Sequence, residues 1–161
     1  MSNQEPNLIL IIDFGSQYTQ LIARRVRESG VYSVIKSNKI AKKDFLNLKP
    51  KGIILSGGPD SVRLNKIHKL PNYILESNIP ILGICYGMQL ITHYFKGKVK
   101  SSVKKEFGHS TLKIKGTSKI FEGLNKNSIL NVWMSHSDKV FKLPSGFKVL
   151  GSSDNTKIAA M

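Results

Sequence analysis

The chain has 161 residues, 40% hydrophobic and 22% charged, values of a single ordinary globular domain spanning residues 1–161 that exclude a disordered polypeptide. Its formal charge of +15 raises nucleic acid as a partner, yet the excess is scattered lysine rather than the arginine of bidentate phosphate and base recognition. No apolar run reaches the ~20 residues of a membrane span, the polar start Met1–Asn7 is not a secretory signal, and a single cysteine excludes an internal disulfide and fits a reducing cytoplasm.

In chain order, Leu8–Ile12 is a continuous apolar run, the pattern of a strand buried on both faces of a parallel sheet. Asp13-Phe14-Gly15-Ser16-Gln17 follows as a turn with Ser16 as helix N-cap. Tyr18–Glu28 then reads as a helix whose inner face is Leu21, Ile22, Val26 and the stem of Arg25, stopped by Gly30. A lone Gly15 does not make the dinucleotide-binding G-x-G-x-x-G. Tyr32–Lys36 is a second strand, Lys42–Leu48 a helix ending before Pro50, and Gly52–Leu55 a third strand. Asn65–Ser77 is a weakly patterned loop and helix, and its His68 is placed on the surface. From Gly97 onward the segments Lys98–Ser102, Ser110–Lys115 and Ser128–Trp133 are β-rich, predicting a mostly antiparallel extension of the sheet. Phe107-Gly108-His109 is placed at a turn, and Phe147–Ser152 and Thr156–Met161 read as final strands. The densest basic cluster, Lys96, Lys98, Lys100, Lys104 and Lys105, lacks the interleaved aromatics of a single-strand stacking platform. It reads as a solvated surface, with a face docking an acidic partner domain as the alternative.

Three stretches carry chemistry. Pro80–Gln89 begins as a strand and ends as a helix, with Cys85 at the join between Gly83 and Gly87. Gly-x-Cys-x-Gly is the nucleophile-elbow pattern with sulfur in place of a serine oxygen. The glycines give room to a strained strand-to-helix turn, and the helix N-terminus predicts a thiol pKa below the ordinary value. The alternative is a buried core cysteine. In the helix that follows, Met88, Ile91 and Phe95 form the predicted core stripe and His93 faces solvent. Gln89 stands one turn beyond Cys85, since i and i+4 share a helix face, so it can reach what lies on the thiol.

Ser56-Gly57-Gly58-Pro59-Asp60-Ser61 is the second stretch. Paired glycines before proline turn backbone N–H groups outward, so Gly58 is the predicted second oxyanion donor beside the N–H of Tyr86. The third is Trp133–Val140. Its His136 and Asp138 could be a base and its orienting carboxylate, although a histidine rarely makes that buried bond with its own i+2 neighbour.

The stretch Gly83-Ile84-Cys85-Tyr86-Gly87-Met88-Gln89 resembles the nucleophile motif of class I, triad-type glutamine amidotransferases. Asp13-Phe14-Gly15-Ser16-Gln17-Tyr18 and Trp133-Met134-Ser135-His136-Ser137-Asp138 narrow the resemblance to the amidotransferase domain of the GMP synthetases. It covers Leu8 to Met161. What the resemblance implies is an α/β fold, an open, mostly parallel, doubly wound, flavodoxin-like sheet flanked by helices, with the site at the carboxyl ends of the strands. It implies Cys85 as nucleophile, Gly58 and Tyr86 as oxyanion donors, and Gln89, Ser135, His136 and Ser137 on the substrate side.

The implied activity is glutamine hydrolysis through a cysteine thioester, supplying ammonia for amination of XMP to GMP in cytoplasmic purine biosynthesis. The implied partners are L-glutamine and an ATP-binding synthetase, whether fused or separate. No cofactor or metal is expected here, and ATP with Mg²⁺ would belong to that synthetase. The family's base and its carboxylate come from a His-Pro-Glu motif that does not occur in these 161 residues. The resemblance therefore implies an amidotransferase domain truncated at its C-terminus, with poor turnover on its own. Rival readings are a related cysteine hydrolase, a remnant that binds glutamine or a synthetase without turnover, and a basic nucleic-acid-binding module.

Overall fold

The computed structural model describes residues 7–63 and 67–161, with side chains left out at residues 103–106 and 136. The terminal stretch ahead of Asn7, the start of the Asn65–Ser77 segment, and the side chains of Lys104, Lys105 and His136 therefore lie outside the described residues. The chain divides into two compact units, Met1–Met88 and Gln89–Met161. Among the described residues no helix is long and apolar enough to cross a membrane.

The first unit is a parallel sheet with strand order β2-β1-β3-β4, built from β1 (Leu8–Asp13), β2 (Tyr32–Ser37), β3 (Gly52–Leu55) and β4 (Ile81–Gly83). Connecting them are helices α1 (Thr19–Glu28), α2 (Lys42–Leu48) and the single turn α3 (Asn72–Leu75). The apolar run of β1 lies in the middle, where Leu10, Ile11 and Ile12 are fully enclosed beside Ile53 and Leu55 of β3. Burying each such side chain contributes about 1.5–3 kcal/mol, and that pins the register Leu10↔Ile53 and Ile12↔Leu55. Because β1 sits between β2 and β3, the strand order reverses there. In open α/β sheets a crevice forms at such a switch, beyond the carboxyl ends of the strands.

Helix α1 stops as its sequence predicts. Gly30 takes φ +78°, its N–H bonds Arg27 O at 2.9 Å, and Val31 N–H reaches back to Val26 O at 3.2 Å. These are the paired 5→2 and 6→1 bonds of a Schellman ending. Two details at the other end and along the helix differ from expectation. The N-cap is Tyr18, and Ser16 instead closes the preceding turn by accepting from Tyr18 N–H at 3.1 Å. The buried residues are Thr19 and Ala23, the expected Ile22 and Val26 are half-buried, and Leu21 and Arg25 are exposed. Thr19 is drawn inward because its hydroxyl donates to Asp13 Oδ1 at 2.7 Å, which rotates Leu21 outward.

The second unit holds helix α4 (Tyr86–Tyr94) from Gln89 on, and a separate sheet of order β6-β5-β7. Strands β5 (Lys98–Ile114) and β6 (Ile129–Lys142) form one long antiparallel hairpin, and β7 (Gly151–Ser152) adds a short third strand. This corrects the expected extension of the parallel sheet. The two segments Lys98–Ser102 and Ser110–Lys115 are one strand, and Phe107-Gly108-His109 lies inside it, not at a turn. Gly108 supplies the φ of +100° that the strand requires opposite Met134. The expected last strands shrink to β7 and an isolated bridge from Gly151 to Ala160. Along α4 the buried residues of this unit are Gln89, Leu90, Ile91 and Thr92, whereas Phe95 is exposed.

Helix α4 ends with Lys96 at φ +63°, its N–H on His93 O at 3.1 Å and Gly97 N–H on Thr92 O at 2.8 Å. A left-handed conformation costs a residue with a Cβ about 1–2 kcal/mol. Lys96→Gly is therefore expected to stabilise this unit by about 1 kcal/mol, read as a higher denaturant midpoint at unchanged slope. A lower midpoint would mean that the lysine side chain contributes more than its backbone conformation costs.

Candidate functional site

In the first unit the carboxyl ends of β1, β3 and β4 bring three loops together. At the end of β4 the chain turns through Ile84 and Cys85 directly into α4. Cys85 has φ +50°, a conformation that few residues with a Cβ adopt and that persists only when its surroundings hold it. Those surroundings are backbone. Ile84 N–H donates to Leu55 O at 2.9 Å, and Gly87 N–H donates to Ser56 O at 3.1 Å and Ile84 O at 2.9 Å. The elbow is thus bolted to the end of β3.

The flanking glycines are required by approach to the backbone rather than by room for the nucleophile itself. A Cβ on Gly83 would lie 2.6 Å from Met88 N, and one on Gly87 would lie 2.3 Å from Leu55 O. Neither contact can be relieved by moving a side chain.

The Ser56–Asp60 turn sits against this elbow. A Cβ on Gly57 would lie 3.3 Å from Ser16 Oγ and 3.7 Å from Cys85 Cβ, and one on Gly58 would lie 2.9 Å from Phe14 O. The turn is fixed from below by Ser56, fully buried, whose Oγ accepts Phe14 N–H at 3.2 Å and donates to Gly57 O at 2.9 Å. Among the described residues the N–H of Gly58 has no backbone acceptor. Tyr86, first in α4, has no intrahelical acceptor for its own. The two predicted oxyanion donors and the cysteine therefore belong to loops in contact at one sheet edge.

Cys85 is half-buried, and burial pushes its thiol up from the ordinary value. This direction is opposite to the lowered thiol expected from the helix terminus, because enclosure disfavours the anion. Its reaction with iodoacetamide should keep accelerating above pH ~8.5, the region where an ordinary thiol is half ionised. A rate that levels off below that pH would restore the helix-terminus effect as dominant.

The second unit pairs two other predicted stretches. Gln89 is 5% exposed, and its Nε2 donates to Asp138 O at 3.1 Å. Its amide thus meets the backbone of the Trp133–Asp138 stretch, which lies inside β6. Ser135 stands opposite Phe107, and His136 opposite Glu106, after which the register slips before Asp138 pairs with Ser101. Ser137 falls at that irregularity, where four residues of β5 (102–105) face one of β6; such bulges re-aim neighbouring groups. Asp138 is buried at 4% exposure. The side chain of His136 lies outside the described ones.

One residue placed on the surface by its sequence is about a third exposed and is also tied to the elbow. His68 Nε2 lies 2.5 Å from Asp60 Oδ2, and its backbone N–H donates to Tyr86 Oη at 3.1 Å. No local pattern could signal this, because the contact joins two points of an irregular loop to a helix 18 residues away.

Comparison with known proteins gives a consistent result. The family model for glutamine amidotransferase class-I matches residues 10–161. A GMP synthase [glutamine-hydrolyzing] from Thermosipho africanus is 54% identical over 155 residues, covering 96% of this chain, and one from Campylobacter lari is 51% identical over 148 residues, covering 92%. The chain spans 30% and 29% of the lengths of those two relatives. Among solved structures, a GMP synthase subunit protein from Thermoplasma acidophilum superposes with a TM-score of 0.85 at 32% identity, over 97% of this chain and 77% of that one. A glutamine amidotransferase from Thermotoga maritima, 20% identical with a TM-score of 0.71 over 94% of this chain and 69% of its own, shares the fold. With its family model matched over nearly the whole length, the α/β chain built around Cys85 belongs to the class-I glutamine amidotransferases.

Proposed function

We propose that the chain hydrolyses the side-chain amide of glutamine and delivers the ammonia to a synthetase that aminates XMP to GMP. The observation that carries this reading is Cys85, held at φ +50° with the Gly57–Gly58 turn against its Cβ. A nucleophile strained into a sharp turn beside open backbone N–H groups suits acyl transfer. The Cys85 thiol gives up its proton, which is passed on to the leaving nitrogen, as its sulfur attacks the amide carbon; the carbonyl electron pair moves to oxygen, and the N–H groups of Gly58 and Tyr86 hold that oxyanion. Collapse expels ammonia, once its nitrogen has been protonated, and leaves a γ-glutamyl thioester that water opens to glutamate. Gln89, Ser135, His136 and Ser137 are assigned to holding glutamine. The name GMP synthase [glutamine-hydrolyzing] carried by the relatives supports GMP as the product and glutamine as the nitrogen source; XMP, ATP and Mg²⁺ belong in this reading to the synthetase partner. A cytoplasmic location goes with this reading.

The test is covalent labelling of Cys85 by a glutamine isostere bearing a chloromethyl ketone, with and without glutamine. Saturable labelling that glutamine suppresses supports the reading, and its loss in Cys85→Ala assigns the thiol. Labelling that glutamine does not slow would leave Cys85 a structural cysteine. Protection without release of ammonia would favour the binding-only alternative.

A further inference from the structure

His68 and Asp60 lie outside every role assigned above, yet they close a cluster around one oxyanion donor. The ring of His68 packs on Phe14 with centroids 5.9 Å apart and stands edge-on to Tyr86, also at 5.9 Å. Phe14 and Tyr86 meet edge to face at 5.3 Å. Gly58 lies against two of these residues, since a Cβ there would touch Phe14 O, Phe14 Cβ and Tyr86 Cδ1 within 3.5 Å. Tyr86 is 2% exposed, and its hydroxyl accepts the His68 N–H. Burial pushes that phenol up, and the negative charge of Asp60 adds to the effect, so the group stays a neutral hydroxyl.

From this geometry we infer that Asp60 and His68 form a clip that sets the Ser56–Asp60 turn against Tyr86, so that the two oxyanion N–H groups converge. Both are positioning residues, acting through Gly58 and Tyr86. The inference rests on the glutamine-hydrolysis reading. Asp60 ends the glycine turn, and His68 returns after the following loop. Their bond ties the far side of the turn to a ring already fixed on α4. The pair is about a third or more exposed on each side, so its worth to global stability is small. Its effect is geometric, because donors act on a developing oxyanion only within about 0.5 Å of the right place. The bond needs an acceptor at position 60 and a donor at position 68, not a full charge pair, since the imidazole N–H donates to either an ionised or an amide oxygen.

The test uses the 161-residue chain and the same chloromethyl ketone. The Cys85 thiol gives its proton to solvent as its sulfur adds to the ketone carbon, forming a C–S bond and an oxyanion. The same sulfur then displaces chloride from the adjacent methylene through a three-membered sulfonium, and the first C–S bond breaks as the oxyanion re-forms the ketone, leaving a thioether on the methylene. Asp60→Ala and His68→Ala are expected to lower the maximal inactivation rate about 10-fold, a fraction of the 10²–10³ that a lost donor costs. Half-saturation and the rate with iodoacetamide, which needs no oxyanion hole, should stay within about 2-fold. Asp60→Asn should recover most of the rate, and His68→Gln serves where the alanine variant loses its native circular dichroism. Variants that react at the wild-type maximal rate overturn the clip. So do variants whose half-saturation and iodoacetamide rates change in step with it, which is general loosening. A wild type that neither saturates nor is protected by glutamine overturns the glutamine reading, and the clip's part in it, at the first step.

Discussion

Residues 1–161 extended by a segment carrying His-Pro-Glu should hydrolyse glutamine about 10²–10⁴-fold faster than residues 1–161 alone, the usual worth of positioned general acid–base catalysis. The expectation follows from the state of Cys85. Burial holds its thiol above the ordinary range, so attack on the amide requires a base to take the proton. Ammonia likewise leaves only when a proton reaches its nitrogen. The sequence holds no His-Pro-Glu, and in the one His-x-Asp it offers, His136 and Asp138, the aspartate is buried within β6. Ammonia release would be followed in both polypeptides, with ketone labelling as a measure of intact sites. Comparable turnover by the two would bring His136 with Asp138 forward as the acid–base pair, and His136→Ala would then have to abolish it.

Replacing Gly58 should be nearly as damaging, but two contributions must be separated. Any Cβ at this position lies 2.9 Å from Phe14 O and 3.1 Å from Phe14 Cβ, so the turn must shift before the N–H is considered at all. Gly58→Ala measures that displacement, while Gly58→Pro adds the loss of the donor. In the extended chain the alanine variant is expected to lose activity in part. The proline variant should lose about 10²–10³ in kcat, the worth of one oxyanion donor, with KM changing much less. The difference between the two is the contribution of the N–H. Equal activities in two folded variants would place the second donor elsewhere in the Ser56–Asp60 turn.

The sequence by itself determined the features whose causes are local. The unbroken apolar run Leu8–Ile12 has the pattern of a strand covered on both faces, and it lies inside the sheet between β2 and β3. Gly30 ended α1 because only a residue without a Cβ takes φ +78° freely. Gly-x-Cys-x-Gly marked the elbow for a similar reason, although the atoms that exclude a Cβ belong to Leu55 and to the elbow's own backbone.

The tertiary structure decided what depends on which surface an element meets. Helical spacing places Leu21 and Ala23 on different faces but does not say which one meets the sheet. The bond from Thr19 to Asp13 turns the small residues inward. Alternation breaks at Gly108, so a 17-residue strand read as two with a turn between them. The upward direction of the Cys85 shift comes from enclosure, which depends on the folded surroundings and not on the chain's local pattern. His68 needed Asp60 and Tyr86 brought to it across an irregular loop. Nothing periodic records such a contact, because it is made between side chains that only the folded backbone sets side by side.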